Sequence, residues 1–383
     1  MQNTRENRQA YRHLLFTTAG LSEYISGCIT YEETLFEKDA SGKSYAQILS
    51  DNGIIPGIKV DKGVVPLANT DGETVTQGID GLGKRCAEYY AAGCVFLAIA
   101  SCIIFFMNSY CFCMFPSLSR LSYPIHFFLF SCSLLSFLFV LICFVHLLYV
   151  VGCVFFFSAR FAKWRAVLCI KDSGAPTQLS IDANAYTLAR YASICQENGL
   201  VPIVEPEILM DGTHSIERSA EVTQRVLAAT FKALADHHVI LEGCLLKPNM
   251  VRSGTSCIQQ ATSADIARCT VRVLQNTVPP ALPGVTFLSG GMSEEDATVA
   301  LDCINKFGEK SKKPWSLTFS YGRALQKSVL AAWKGDSANI AAAQEQLMIR
   351  SKANSEAQRG IYAGSGKEGA AASASLHVAN YSY

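Results

Sequence analysis

Short apolar runs that end in charged or small polar residues recur along the chain, and they predict strands alternating with helices. Seven runs share this design, at residues 24–31, 56–61, 161–167, 201–207, 240–247, 285–291 and 316–323. Side chains two positions apart in a strand share one face, so paired charges near each strand end point the same way. Strands separated by helical stretches favour parallel βαβ units, as in an α/β barrel.

The run that ends at Lys247 is the most informative of the seven. Pro248 follows the lysine directly, which interrupts regular strand pairing and places one amine at the rim of the predicted barrel. A surface lysine at a strand end would give the same local pattern. A lysine near other cations loses proton affinity, however, and can attack a carbonyl to form a Schiff base. The other strand ends supply three cations and three carboxylates: Lys59, Lys163 and Arg165, and Asp61, Glu205 and Glu207.

Strand ends form the active site of (β/α) barrels, and the loops after the last two strands commonly bind phosphate. The glycine-containing stretches 288–291 and 319–323 follow the last two predicted strands. Exposed backbone N–H groups in such turns bind anions. Together with the lysines and carboxylates, they predict a site for a phosphorylated carbonyl substrate.

Five motifs, LKPNM (246–250), FAKWR (161–165), IVEPE (203–207), LSGG (288–291) and FSYGR (319–323), resemble class I fructose-bisphosphate aldolase. The resemblance covers residues 1–93 and 159–383. It implies a (β/α)8 TIM barrel and the reversible cleavage of fructose 1,6-bisphosphate to dihydroxyacetone phosphate and glyceraldehyde 3-phosphate, in glycolysis and gluconeogenesis. It implies no cofactor, and the histidines lack metal-ligand spacing, so no metal site is predicted.

The resemblance also implies a role for individual residues. Lys247 matches the lysine that forms the Schiff base, and Glu205 matches the carboxylate that acts as acid and base. Lys163 matches a cation that polarises the substrate, and Glu207 matches a second carboxylate within the site. Tyr383, the last residue, matches a mobile tyrosine that transfers a proton at the enamine stage.

Two groups of residues are implied to bind the substrate. Lys59 and Arg165 match residues that contact the substrate and its distal phosphate. The other phosphate site is matched by Ser289, Gly290, Ser320, Gly322 and Arg323. Nearby lysines should lower the pKa of Glu205, whereas burial and Glu207 should raise it, and this balance suits acid/base catalysis.

The start of the chain departs from the family pattern. Residues 1–8 resemble the helix before the family's second strand, and the family's first strand, which ends in a catalytic aspartate, has no counterpart. Barrel closure needs eight strands with matched shear, so we expect an open barrel with two exposed strand edges. We expect the absent carboxylate and the open edges to impair catalysis or stability.

The second departure is an apolar insertion at residues 94–158, just before the Lys163 strand. It holds a single charged residue, Arg120, and 14 of the 21 phenylalanines. Phenylalanine, leucine, serine and cysteine share thymine-rich codons, so one interpretation is a translated, retained intron. The other is a membrane segment, because residues 127–157 exceed the roughly 20 residues that a spanning helix needs. The predicted organisation is a first barrel part (1–93), the insertion (94–158), a second barrel part (159–359) and a flexible tail (360–383).

Charge and cysteine usage bear on partners and location. The net charge is +1 without a basic stripe, which argues against nucleic acid as a partner. The amino terminus lacks a signal-peptide pattern and the cysteines are scattered, which favours the cytoplasm; membrane association through residues 127–157 is the alternative. The resemblance further implies a homotetramer and cytoskeletal partners. The alternative function is a non-catalytic, aldolase-derived scaffold, tethered to a membrane if the insertion is present.

Overall fold

A computed structural model describes residues 2–92, 159–364 and 371–379. The predicted insertion at 94–158 and the predicted catalytic Tyr383 lie outside the described residues. The strands of the described part are β1 (Gly27–Thr30), β2 (Ile55–Lys59), β3 (Val64–Pro66), β4 (Thr74–Thr76), β5 (Phe161–Leu168), β6 (Val201–Ile208), β7 (Leu245–Leu246), β8 (Gly284–Phe287) and β9 (Ser316–Phe319).

Seven of these strands form one sheet in the order β1-β2-β5-β6-β7-β8-β9, and every neighbouring pair is parallel. Each of the seven predicted apolar runs overlaps one of them, so the predicted α/β barrel-type fold is confirmed. Residues of both β1 and β9 line a single cavity, which shows that the sheet curls. Within the described residues, no strand joins the β1 edge to the β9 edge. The antiparallel β3–β4 hairpin was not predicted.

Helices follow or precede the strands along the chain, as parallel connections require. Their bounds are α1 (Arg5–Phe16), α2 (Glu32–Phe36), α3 (Tyr45–Asp51), α4 (Leu82–Ala91), α5 (Gln178–Glu197), α6 (Ile216–Asp236), α7 (Ser263–Thr277), α8 (Glu294–Lys306), α9 (Arg323–Trp333) and α10 (Ile340–Ala357). Several of these helices have a serine or threonine at the N-cap, whose hydroxyl accepts a hydrogen bond from the first turn. Thr262, for example, forms a reciprocal capping box with Asp265 at the start of α7. Within the described residues, no helix combines the length and the apolar character needed to cross a membrane.

The main core lies between the sheet and the surrounding helices. In β5, apolar side chains face this core and charged side chains face the barrel interior. Trp164 is fully buried and stacks on Tyr191 of α5, with ring centroids 5.4 Å apart. The Tyr191 hydroxyl lies 2.9 Å from the Ala162 carbonyl and 3.0 Å from the Ile203 carbonyl. Because side chains alternate along a strand, Lys163 and Arg165 point to the opposite face, into the barrel interior.

Strand β7 is shorter than its apolar run suggests. A 3₁₀ turn (Leu241–Gly243) takes up the first part of the run, and only two residues form the strand. The backbone N–H of Lys247 still donates to the Val204 carbonyl at 2.8 Å, which fixes the lysine to β6. Pro248 removes a donor but keeps its acceptor, and its carbonyl accepts from Leu288 N at 3.0 Å.

Candidate active site at the carboxyl ends of the strands

Strand register brings the predicted charged residues to one end of the sheet. Lys59 at the end of β2 is the register partner of Lys163 in β5, and Arg165 is the partner of Glu205 in β6. Neighbouring strands lie about 4.8 Å apart, so side chains in register and on the same face come within contact range. The predicted cluster is therefore assembled by the fold.

Glu205 bridges two lysines in the barrel interior. Its Oε1 lies 3.0 Å from the Nζ of Lys247, and its Oε2 lies 3.2 Å from the Nζ of Lys163. The Glu205 side chain is 2% exposed, that of Lys163 3% and that of Lys247 10%. Little water screens these charges, so each ionisation state depends strongly on the other two.

Three further ion pairs lie beside this bridge. Arg165 Nε contacts Glu207 Oε2 at 2.5 Å, so the second predicted carboxylate pairs with an arginine, whereas Glu205 pairs with lysines. Lys59 Nζ lies 2.7 Å from Asp61 Oδ1. The Asp61 Oδ2 in turn lies 3.8 Å from Lys163 Nζ. A chain of alternating charges thus runs from Lys59 through Asp61 and Lys163 to Glu205 and Lys247.

The pKa of Lys247 is lowered, first by burial and further by the positive charge of Lys163, although Glu205 acts in the opposite direction. A lowered pKa makes the neutral, nucleophilic amine more accessible near neutral pH. Burial acts to raise the pKa of Glu205, but the cations Lys163, Lys247 and Arg165 outweigh it and the net shift is downward. The upward effect of burial on the pKa of Glu205, expected from the sequence, is therefore present, but the surrounding cations outweigh it.

A cavity of about 770 Å³ opens onto this charge chain. Lys59, Lys163 and Lys247 line it, together with Thr286 and Thr318. The volume falls within the roughly 300–1,000 Å³ that is typical of small-molecule sites. A phosphorylated sugar therefore has room to reach the Lys247 amine.

The loop after β8 forms part of the predicted phosphate site. Ser289 is buried, and the two glycines that follow have φ angles of +54° (Gly290) and +80° (Gly291). Residues with a side chain rarely adopt such backbone angles, and a Cβ at Gly291 would lie only 2.9 Å from the His377 Cα. Glycine at 291 therefore permits both the turn and the close approach of the carboxyl-terminal segment.

The loop after β9 supplies the other part. Ser320 N donates to the Phe287 carbonyl at 2.8 Å, which ties this loop to β8, and Gly322 precedes helix α9. Arg323 Nη1 donates to the Leu376 carbonyl at 2.6 Å. Leu376 N donates to the Gly291 carbonyl at 3.1 Å, so residues 371–379 (the carboxyl-terminal segment) lie against both loops.

The structure thus brings together eleven of the twelve predicted site residues in two groups, and Tyr383 is outside the described part. Period-two spacing places Asp61 on the same face as Lys59, but it does not predict the contact of Asp61 with Lys163. That contact depends on the pairing of β2 with β5, which are far apart in sequence. Within the described ranges, no three His, Cys, Asp or Glu side chains are grouped as a metal site.

A curled parallel sheet with charged side chains gathered at its strand ends is the architecture of an α/β-barrel enzyme. The chain belongs to the class I fructose-bisphosphate aldolase family. The sequence profile of that family, described as "Glycolytic: Fructose-bisphosphate aldolase class-I", matches residues 1–105 and 156–383.

Individual relatives agree with the family match. The chain is 50% identical over 383 residues to cytosolic fructose-bisphosphate aldolase 4 of Arabidopsis thaliana, covering all of this chain and 80% of the relative. It is 50% identical to fructose-bisphosphate aldolase of Dictyostelium discoideum, covering 88% of that protein. A solved structure of Plasmodium falciparum aldolase, in complex with TRAP and a small-molecule inhibitor, is similar with a TM-score of 0.76 at 48% identity, over 95% of this chain and 86% of the other.

These findings confirm the predicted family, fold class and enzyme class, which is that of a carbon–carbon lyase. They also confirm the predicted function, fructose-bisphosphate aldolase of glycolysis. The alternative of a non-catalytic relative receives no support from the comparisons.

Proposed function

We propose that this chain performs its family's reaction, the reversible cleavage of fructose 1,6-bisphosphate, through a Schiff base on Lys247. The observation that supports this assignment is the buried bridge in which Glu205 contacts both Lys247 and Lys163. It supplies a nucleophilic amine, a proton carrier within hydrogen-bond reach of it, and a cation beside the carrier. These are the groups that imine formation requires.

In the first step, the neutral Lys247 amine attacks the ketone carbon of the open-chain sugar and a C–N bond forms. The carbonyl oxygen takes up a proton, and the resulting carbinolamine then loses water to give the protonated imine. Glu205 transfers these protons, since its Oε1 lies 3.0 Å from Lys247 Nζ. Lys163 stabilises negative charge on Glu205 and on the substrate oxygen.

In the second step, the protonated imine accepts the electron pair of the C3–C4 bond. Glu205 takes the proton of the C4 hydroxyl as the bond breaks, glyceraldehyde 3-phosphate leaves as the aldehyde, and the three-carbon fragment remains on Lys247 as an enamine. Protonation of the enamine and hydrolysis of the imine then release dihydroxyacetone phosphate. We assign the enamine proton to Tyr383, as the family resemblance implies.

The order of strands supports a substrate with a phosphate at each end. Lys59 and Arg165 lie on β2 and β5, which precede β7 in the sheet, whereas Ser289 and Arg323 follow β8 and β9 on its other side. Lys247 at the end of β7 therefore lies between two groups suited to anions. Two anion sites flanking one reactive amine fit a bisphosphorylated ketose.

We further propose that residues 94–158 form a segment separate from the barrel, that the protein is a cytoplasmic homotetramer, and that it also binds cytoskeletal proteins. The family profile leaves residues 106–155 unmatched, which supports the first point. Relatives named cytosolic or cytoplasmic support the location.

The Plasmodium falciparum relative was solved with the protein TRAP, which supports protein partners as a class. Light scattering of the purified protein tests the tetramer.

The proposed chemistry is tested by a cleavage assay with excess chelator. We expect aldehyde release from fructose 1,6-bisphosphate to persist in EDTA, because the amine replaces a metal as the electron sink, and to fall at least 10³-fold, as an order of magnitude, in Lys247→Met. Lys232→Met is the matched control, since Lys232 is exposed on α6 and pairs only locally with Asp236. Activity that is lost with the metal, or retained in Lys247→Met, would contradict the assignment.

A further inference from the structure

Asp61 is a buried carboxylate that joins two of the site lysines, and neither the family resemblance nor the proposed chemistry gives it a role. Its side chain is 3% exposed. Its Oδ1 lies 2.7 Å from Lys59 Nζ, and its Oδ2 lies 3.8 Å from Lys163 Nζ. It is thus the one carboxylate within the described site that links the Lys59 amine to the charges around Lys247.

The backbone holds the Asp61 carboxylate in place. Gly63 N donates to Oδ1 at 3.2 Å, in a turn that Gly63 permits with a φ of +84°. Arg165 N approaches Oδ2 at 3.4 Å from β5. The same turn is anchored to the β3–β4 hairpin, because Gln77 N donates to the Gly63 carbonyl at 2.9 Å. The position of the carboxylate is therefore fixed by backbone groups rather than by mobile side chains.

Asp61 in turn fixes Lys59. Lys59 Nζ contacts both the Asp61 carboxylate and, at 3.1 Å, the Asp61 carbonyl. The ring of Tyr31 lies beneath the same ammonium group, 5.9 Å from Nζ to the ring centroid. A lysine side chain has four rotatable bonds, and ordering it costs conformational entropy. A lysine that is ordered before the ligand arrives binds a phosphate without that cost.

We propose that Asp61 is a positioning residue that, through Lys59, sets the preference for a sugar with a phosphate at its distal end. This inference rests on the proposed function, in which Lys59 contacts the distal phosphate. Asp61 also offsets one of the two neighbouring positive charges, which allows Lys59 and Lys163 to point into the same cavity. A purely structural ion pair would affect all ligands equally, whereas a positioning role affects only those with a distal phosphate.

The experiment compares two unreactive ligands, hexitol 1,6-bisphosphate and hexitol 1-phosphate, by calorimetry on the full chain. Neither ligand has a carbonyl group, so the affinity ratio is independent of catalysis. Asp61→Asn removes the charge, while its amide oxygen still accepts from Gly63 N. The matched control is Glu73→Gln, because Glu73 is also buried but accepts from Thr177 N at 2.8 Å, away from the lysines.

We expect Asp61→Asn to reduce the preference for the bisphosphate about tenfold, the effect of weakening one charge-assisted hydrogen bond, with little change in affinity for the monophosphate. Glu73→Gln should keep the wild-type ratio. If Asp61→Asn does not fold, Asp61→Glu retains the charge but displaces it by one methylene, and its ratio should fall as well. An unchanged ratio in the folded variant overturns the inference.

Two controls separate this inference from the proposed function. In Lys59→Met the ratio should fall at least as far as in Asp61→Asn, and the double variant should match Lys59→Met, because Asp61 acts through Lys59. Additive losses would contradict that pathway. Labelling of Lys247 by substrate and borohydride reports the chemistry alone. If labelling fails while the ratio responds to Asp61→Asn, the Schiff-base assignment fails and the positioning role stands.

Discussion

At the residue scale, the site depends on burying unequal numbers of positive and negative groups close together. Glu205 lies between Lys163 and Lys247, and each of these three ionisations changes the other two. Removing one partner from such a cluster leaves another charge buried without compensation, which is strongly destabilising. The cluster also sets the pKa of Lys247, which burial and the charge of Lys163 lower while the contact with Glu205 acts in the opposite direction.

The influence of Lys163 on Lys247 predicts a pH effect with a definite sign. The Lys163 charge lowers the pKa of Lys247, so Lys163→Met should raise that pKa and leave less neutral amine at a given pH. The acid limb of Schiff-base formation should then move to higher pH, with a rate loss of about 10²-fold at neutral pH. The pH dependence of borohydride trapping measures this shift. Lys163→Arg, which keeps the charge, is the control, and an acid limb moving to lower pH would contradict the account.

The face of the sheet that the site residues occupy was predictable from period-two spacing, since Lys163 with Arg165 and Glu205 with Glu207 lie two positions apart within single strands. The residues that they contact were not predictable. Glu207 contacts Arg165, and Asp61 contacts Lys163, across gaps of 42 and about 100 residues in sequence. Local pattern fixes which face a side chain occupies, but the register between distant strands determines which charge it meets.

At the element scale, the loops after β8 and β9 and the carboxyl-terminal segment form one unit. Gly291 N-terminal to α8, Arg323 at the start of α9 and Leu376 in the segment are linked by hydrogen bonds of 3.1 Å and 2.6 Å. An anion entering this site competes with the Leu376 carbonyl for the Arg323 guanidinium. Contacts of the segment and of the substrate are therefore coupled through a single side chain.

The glycine at 291 gives a prediction at this scale. Gly291→Ala places a methyl group 2.9 Å from the His377 Cα in a backbone conformation with a φ of +80°, so it should cost about 1–2 kcal/mol and displace the segment. Thermal unfolding measures the loss, and limited proteolysis within residues 371–379 reports the displacement. Gly83→Ala is the control, because its Cβ would meet nothing closer than 3.8 Å within α4. Equal stability and equal protection in both variants would show that the close approach is unimportant.

The positions of the strands followed from the sequence better than their lengths did. All seven predicted apolar runs overlap a sheet strand, yet β7 has only two residues because the 3₁₀ turn Leu241–Gly243 precedes it. An apolar run shows that a segment is buried, and it does not show where pairing begins. The β3–β4 hairpin was missed because its three-residue strands are too short to give a periodic pattern.

At the scale of the whole molecule, the borders of the apolar insertion lie close together. Ala159 N donates to the carbonyl of Tyr89 in α4 at 3.3 Å, so the chain resumes next to the helix after which the insertion begins. This junction precedes β5, at the end of the strand opposite to the charge cluster. The barrel parts on either side therefore pack together through contacts that do not require the residues between them.

Joining Gly93 directly to Ala159 is accordingly expected to preserve the site. The removed residues carry one charge in 65, so their loss should lower aggregation, while trapping at Lys247 should stay within about twofold of the full chain. Sedimentation of the two proteins, together with borohydride labelling of each, measures both effects. A shortened protein that aggregates more, or that no longer labels Lys247, would mean that residues 94–158 contribute to the barrel.

Lys247 is the residue on which the proposed covalent intermediate forms, and one measurement tests this assignment directly. The purified full chain is incubated with dihydroxyacetone phosphate, reduced with borohydride, digested, and examined by mass spectrometry. The account predicts a single reduced adduct on the peptide that contains Lys247, none in Lys247→Met, and none without substrate. Labelling of another lysine instead, or no labelling while sugar cleavage proceeds, would contradict it.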